Sequence, residues 1–110
     1  MNNNIYSVII GIDIEYFTVV PTNMTITNNK ISNITSNGAG MYFSLSNSNI
    51  SSNVILNNLG TGILLYTSNN NWIKNNTLNS NNYGIYLDTS TGNVISEGEI
   101  NGSKQDAIYI

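Results

Sequence analysis

The chain has no cysteine, no histidine and no arginine, one proline (Pro21), and nine charged residues among 110. Without His or Cys there is no imidazole or thiolate to hold copper, zinc or an iron–sulfur cluster. Nor is there a Ser–His or Cys–His pair for nucleophilic catalysis. A charged fraction of 8% stands against roughly a quarter in ordinary globular domains. The net charge is −3 and the three lysines, Lys30, Lys74 and Lys104, are scattered, so no basic stripe exists to neutralise phosphates and nucleic acid is not an expected partner. The longest apolar run, Val8 to Ile14, is interrupted by Asp13 and is too short to span a bilayer. The opening MNNNIYSVII carries no Lys or Arg ahead of its apolar segment, unlike a secretory leader. Membrane insertion is therefore not expected.

What the chain has instead is 23 Asn, 13 Ser and 10 Thr, with 17 Ile among its 40% hydrophobic residues. So much small polar material suggests disorder, but that much Ile implies a buried core. The length predicts a single domain.

Self-similarity resolves the conflict. Gly40-Met41, Gly62-Ile63, Gly84-Ile85 and Ala107-Ile108 recur at intervals of 22, 22 and 23 residues. A second series, I-x-x-N-x-[IL], runs Ile26/Asn29/Ile31, Ile50/Asn53/Ile55 and Ile73/Asn76/Leu78, and its last copy, Ile95/Gly98/Ile100, lacks the Asn. Within each unit apolar residues are spaced by two (Met41/Phe43, Ile63/Leu65, Ile85/Leu87, Ile108/Ile110), which is strand spacing. Between them lie runs of Asn, Ser, Thr and Gly, suited to tight corners because Asn bonds the nearby backbone and both Asn and Gly accept left-handed conformations. Such a unit cannot bury its apolar face alone, whereas stacked copies at roughly 4.8 Å per coil can.

The segment NWIKNNTLNSNNYGIYLDTS and its relatives, from Asn23 to Ile110, resemble the right-handed parallel β-helix repeat of pectate lyases, polygalacturonases and alginate epimerases. They look most like the Asn-rich version in archaeal surface proteins and in the copper-processing accessory proteins of nitrous oxide reductase. The resemblance implies an all-β right-handed parallel β-helix of about four to five coils. It implies little about activity, because the architecture hosts many. Copper handling is not carried over, since only Met1, Met24 and Met41 could offer soft ligands and Met41 is expected inside. No metal and no cofactor is expected.

Residues 1–22 are expected to form an irregular partial coil with an insertion, and 23–110 four repeats, within one domain. Gly11-Ile12 aligns with the Gly-Ile strand, but Gly11 to Gly40 is 29 residues, so about seven residues around YFTVVPT must loop out. Neither end shows a polar cap or a cap helix. The expectation is a piece of a longer protein, or ends that meet other copies.

Stacking turns each position into a column. Asn29, Asn53 and Asn76 form one, predicted to be an internal ladder of amides bonded to one another and to corner backbone. Outward positions on the Gly-Ile strand give Asp13, Tyr42, Leu64, Tyr86 and Tyr109, beside Glu15, Ser44, Tyr66 and Asp88. Tyr42, Tyr66, Tyr86, Tyr109 and Asp88 are thus a candidate glycan-binding face, since tyrosine combines a flat apolar body with a polar tip. The plainer alternative is cross-strand surface packing. Of the six carboxylates, Asp13, Glu15, Asp88, Glu97, Glu99 and Asp106, Asp13/Glu15 and Asp88 fall three coils apart, about 14 Å, too far for glycoside hydrolysis, and Glu97 and Glu99 are close together but sit at a corner and strand with no partner cluster. No catalytic residue is assigned and an enzyme is not expected. Five N-x-[ST] sequons, at Asn23, Asn33, Asn49, Asn75 and Asn101, are about the number chance gives in this composition; Asn49 and Asn101 are expected to point outward.

These features predict a non-catalytic structural or adhesive module, extracellular or in the cell envelope, whose partner is itself, stacked end to end into a filament or surface layer. The alternatives are a carbohydrate-binding module, with a polysaccharide or glycan as partner, and a fragment of a polysaccharide lyase or hydrolase whose catalytic coils lie elsewhere.

Overall fold

The structure is a computed structural model that describes residues 3–6, 10–15, 18–35 and 37–110. Met1, part of the Val8–Ile14 run, and two residues of the expected insertion, Tyr16 and Phe17, lie outside the described residues.

Short strands follow one another with two- to several-residue corners between them: β1 (Asn4–Tyr6), β2 (Ile12–Ile14), β3 (Thr25–Thr27), β4 (Lys30–Ser32), β5 (Ala39–Phe43), β6 (Asn49–Ser51), β7 (Val54–Leu56), β8 (Thr61–Tyr66), β9 (Trp72–Lys74), β10 (Thr77–Asn79), β11 (Tyr83–Asp88), β12 (Val94–Ser96), β13 (Glu99–Asn101) and β14 (Ile108–Tyr109). They sort into three parallel sheets, with orders β1-β4-β7-β10-β13, β2-β5-β8-β11-β14 and β3-β6-β9-β12. Each strand therefore pairs with its equivalent one coil away, and the chain winds as a three-sided β-solenoid of about four turns, as the repeat predicts. Among the described residues no helix is long and apolar enough to cross a membrane.

The register confirms the columns. Met41, Ile63, Ile85 and Ile108 pair in sequence, as do Ile31, Ile55, Leu78 and Ile100, and Ile26, Ile50, Ile73 and Ile95. In the middle coils these side chains are essentially inaccessible and form one core with Phe43, Leu45 and Leu65. Alternation along three-residue strands leaves one inward residue per strand, and β-branched Ile fills it with a stiff side chain suited to a pleated surface.

The first coil is longer where the sequence places its insertion. Ile12 pairs with Met41 and Thr22 bridges Ser46. Positions 14 and 22 are thus eight apart where positions 43 and 46 are three apart, a surplus of five rather than seven. The other two lie at the following corner, where Ser32 and Met41 are nine apart and their partners Leu56 and Ile63 seven.

The glycine column has a steric cause. A Cβ on Gly62 would lie 2.6 Å from the carbonyl oxygen of Gly84, and one on Gly84 2.4 Å from that of Ala107. Neither glycine has positive φ; they are required because the carbonyl of the next coil occupies the space of a side chain. Gly62→Ala is expected to destabilise the fold by about 1–3 kcal/mol through overpacking, read as a lower thermal midpoint. An unchanged midpoint would show that the coils yield freely at this corner.

Candidate functional site

Two arrangements on this scaffold place polar side chains together: interior columns at the corners, and the outer face of the sheet containing β5, β8 and β11.

The corners are built from two consecutive residues. The first is left-handed: twelve non-glycine residues, nine of them Asn or Ser, have φ between 48° and 59°, and Gly92 and Gly102 join them. Asn tolerates this region better than other residues with a Cβ. The second residue points inward. Asn28 precedes Asn29, Ser52 precedes Asn53 and Asn75 precedes Asn76, each first member having φ of 55–57°. Asn29, Asn53 and Asn76 are at most 4% exposed.

These three form the expected ladder. The backbone N–H and the side-chain Nδ2 of Asn29 both donate to Oδ1 of Asn53 at 3.0 Å. The same two groups of Asn53 donate to Oδ1 of Asn76 at 3.0 Å. Remaining amide protons return to the previous coil, from Asn53 to the Ile26 carbonyl at 3.0 Å and from Asn76 to that of Ile50 at 2.8 Å. Asn3 extends the column below, donating to Oδ1 of Asn29 at 3.2 Å. Each buried amide thus bonds a turn whose own backbone has no strand partner.

Further columns of the same kind were not singled out from the sequence. Asn58 donates through N and Nδ2 to Oδ1 of Asn81 at 3.3 and 2.8 Å, and the Ile34 amide donates to Asn58 Oδ1 at 2.9 Å. Ser48 donates to Asn71 Oδ1, and Asn71 to Asn93 Oδ1, all at 3.0 Å. At the fourth corner serine does the same work, Leu45 N donating to Ser68 Oγ at 3.0 Å and Ser68 N to Ser90 Oγ at 2.9 Å. The signal in the sequence is the doublet, Asn57-Asn58, Ser80-Asn81, Asn70-Asn71, Thr67-Ser68, Thr89-Ser90, rather than any spacing from Ile.

The first column stops at Gly98. There the interior opens into a cavity of about 240 Å³ bounded by Ile73, Leu78, Ile95, Ile100 and Ile108 together with Asn76 and Gly98. A Cβ on Gly98 would sit 2.8 Å from the Asn76 carbonyl oxygen, so the chain there is seated too low to carry the next Asn. The cavity is mainly apolar, with Ser96 and Glu97 also on its wall.

On the outer face the structure brings some candidate residues together and separates others. Tyr86 and Tyr109 are register partners whose rings stack with centroids 4.6 Å apart and planes at 30°. Tyr83, which period-two alternation from Ile85 would turn inward, instead meets both rings edge-on at 5.5 and 5.6 Å. Its column partner Thr61 is small and buried; a tyrosine at that position is too large to follow it. Tyr66 pairs in register with Asp88, whose carboxylate accepts a hydrogen bond from Thr89 Oγ1 at 2.8 Å. Tyr42 pairs with Leu64, which pairs with Tyr86, so two strand steps, roughly 10 Å, separate it from the aromatic group. Burial first, and then the charge of Glu15, raise the Tyr42 phenol above its ordinary 10.0. Partial desolvation, then Tyr109 and Asp88, raise that of Tyr86.

The carboxylates stay dispersed. Strand order sets Asp13 three steps from β11. Glu97 pairs with Lys74 at 3.2 Å with both side chains more than half exposed, a contact worth at most about 1 kcal/mol, and Glu99 accepts from Asn101 Nδ2. Among the described residues no three Asp or Glu lie close enough to hold a metal ion. Of the sequon residues, Asn23, Asn33 and Asn75 occupy left-handed corners and are exposed, Asn101 is exposed on β13, and Asn49 is half-buried on β6.

The ladder is open to direct test. Asn53→Leu removes four side-chain hydrogen bonds and strands the buried Asn29 amide and Ile26 carbonyl, at about 1–3 kcal/mol for each group left unpaired. A large fall in denaturation midpoint is expected; an unchanged one contradicts the ladder's role.

Among curated proteins and among solved structures none matches the chain. The model of one family, described as the right-handed β-helix region, matches residues 1–110, and its winding is the one found here in three parallel sheets and stacked corner columns. The chain belongs to the right-handed β-helix family.

Proposed function

We propose that this solenoid is a non-catalytic structural module of the cell surface or envelope that associates with further copies of itself along the coil axis. The observation that carries the proposal is where the polar groups go. In the middle coils the buried asparagines bond neighbouring coils rather than converge on a cleft, and the carboxylates, two in the first coil and four in the last, form no cluster of three among the described residues. A side-chain set spent on joining one coil to the next suits a rod or spacer better than a reaction centre. The scarcity of charge supports self-association, since little repulsion keeps strand edges apart. One contact is constrained. Ala107 stands in the glycine column, and a coil stacked above it in the intramolecular register would bring a carbonyl onto its Cβ, as the Gly84 geometry illustrates. Copies must therefore meet with a small offset at that corner. Mass photometry and electron microscopy over a concentration series are expected to show oligomers that lengthen with concentration. A clean monomer at high concentration overturns the self-association.

A second reading, a carbohydrate-binding module, is favoured by the aromatic group of Tyr83, Tyr86 and Tyr109 with Tyr66 and Asp88 nearby. Tyrosine faces stack on the apolar faces of sugars, and exposed carboxylates bond their hydroxyls. A glycan array is expected to return binders that Tyr86→Ala abolishes while the melting profile survives. Binding indifferent to Tyr86 removes this face from consideration.

A further inference from the structure

The tyrosine group has a chemistry that neither reading uses. Tyr86 and Tyr109 are held opposite one another by strand register, and their rings overlap at 4.6 Å rather than meeting at an angle. Tyr109 is 41% exposed and Tyr86 half-buried, so a diffusible oxidant has access. Tyr42, by contrast, faces Leu64 and Tyr66 faces Asp88. Tyr83 touches both rings, but at 90° and 61°, presenting an edge to a face. Coupling of two phenoxyl radicals joins ring carbons ortho to the oxygens. A stacked pair brings those positions into mutual contact, whereas an edge-on pair does not.

We propose that Tyr86 and Tyr109 are a site of intramolecular oxidative cross-linking, forming a dityrosine bond between β11 and β14 when the protein meets hydrogen peroxide and a one-electron peroxidase. Each phenol gives up one electron and one proton. The two radicals couple through an ortho carbon of each ring, and each of those carbons then loses its hydrogen as a proton while the phenol oxygen regains one. The two electrons and two protons reduce one hydrogen peroxide to two waters, so the protein loses two hydrogen atoms and gains one carbon–carbon bond. The bond ties the two-residue strand β14 to its neighbour and closes the chain between positions 86 and 109. A cross-link of that kind restricts the unfolded chain and so stabilises the folded one. The proposal stands whichever of the two functional readings holds.

The sequence makes the product easy to locate. With lysine at 74 and 104 and no arginine, trypsin releases Tyr83 and Tyr86 in the peptide 75–104 and Tyr109 in the peptide 105–110. Dilute protein is treated with a haem peroxidase and hydrogen peroxide, and read by intact mass, dityrosine fluorescence and peptide mapping. The expected product is a monomer lighter by two hydrogen atoms, in which peptide 75–104 is joined to 105–110 through Tyr86, with a raised thermal midpoint. Tyr109→Phe keeps the ring stack and lacks the phenol; it is expected to abolish both the joined peptide and the rise in midpoint. The same treatment in concentrated urea is expected to lose the selectivity. The proposal is overturned if the protein stays unlinked, if the fluorescence resides in intermolecular dimers, if the bond falls on Tyr83, or if Tyr109→Phe links as well as the unaltered chain.

Discussion

At the corners of this solenoid a backbone N–H in one coil donates to a side-chain oxygen in the next, and the closed interior depends on that bond. A three-sided coil must turn sharply every few residues, and each turn leaves amides with no strand partner inside a core from which water is excluded. Asn53 and Asn76 solve this with one oxygen that accepts twice, from the backbone and from the side-chain amide of the coil below. Ser68 and Ser90 solve it at another corner with a hydroxyl. Because donor and acceptor belong to different coils, each bond that satisfies a turn also fixes the rise and register of the stack.

The other constraints follow from the closeness that this bond sets. Carbonyls of successive coils approach until Gly62 and Gly84 have no room for a Cβ. Left-handed residues must begin each corner so that the inward residue can face the axis, which explains why Asn, Ser and Thr fill positions that glycine occupies in other folds.

Much of this was legible in the sequence. The period of 22, the strand pattern of Met41/Phe43 and Ile63/Leu65, the inward Ile and the Asn29–Asn53–Asn76 column all follow from spacing, because a parallel solenoid repeats its contacts at the period of its residues. The additional columns at Asn58/Asn81 and Asn71/Asn93 were hidden by their neighbours. Two Asn side by side look alike in a sequence, although one is a left-handed surface residue and the other a buried acceptor. Tyr83 was missed for a different reason. Alternation assigns it to the inside, while its size, against the small Thr61 beneath it, sends its ring to Tyr86 and Tyr109. The separation of Tyr42 from that group was already implied by Leu64 in its column.

The role of the corner bonds can be measured directly by amide hydrogen exchange resolved to single residues. The backbone amides of Asn29, Ser48, Asn53 and Asn71 lie in turns outside the strands, yet each donates to an Asn Oδ1 of the next coil. They are expected to exchange as slowly as the amides of the central strands β7 and β8, opening only with the whole solenoid. Exchange at the rate of ordinary surface turns would contradict the account, showing that the coils are held by their sheets and core alone.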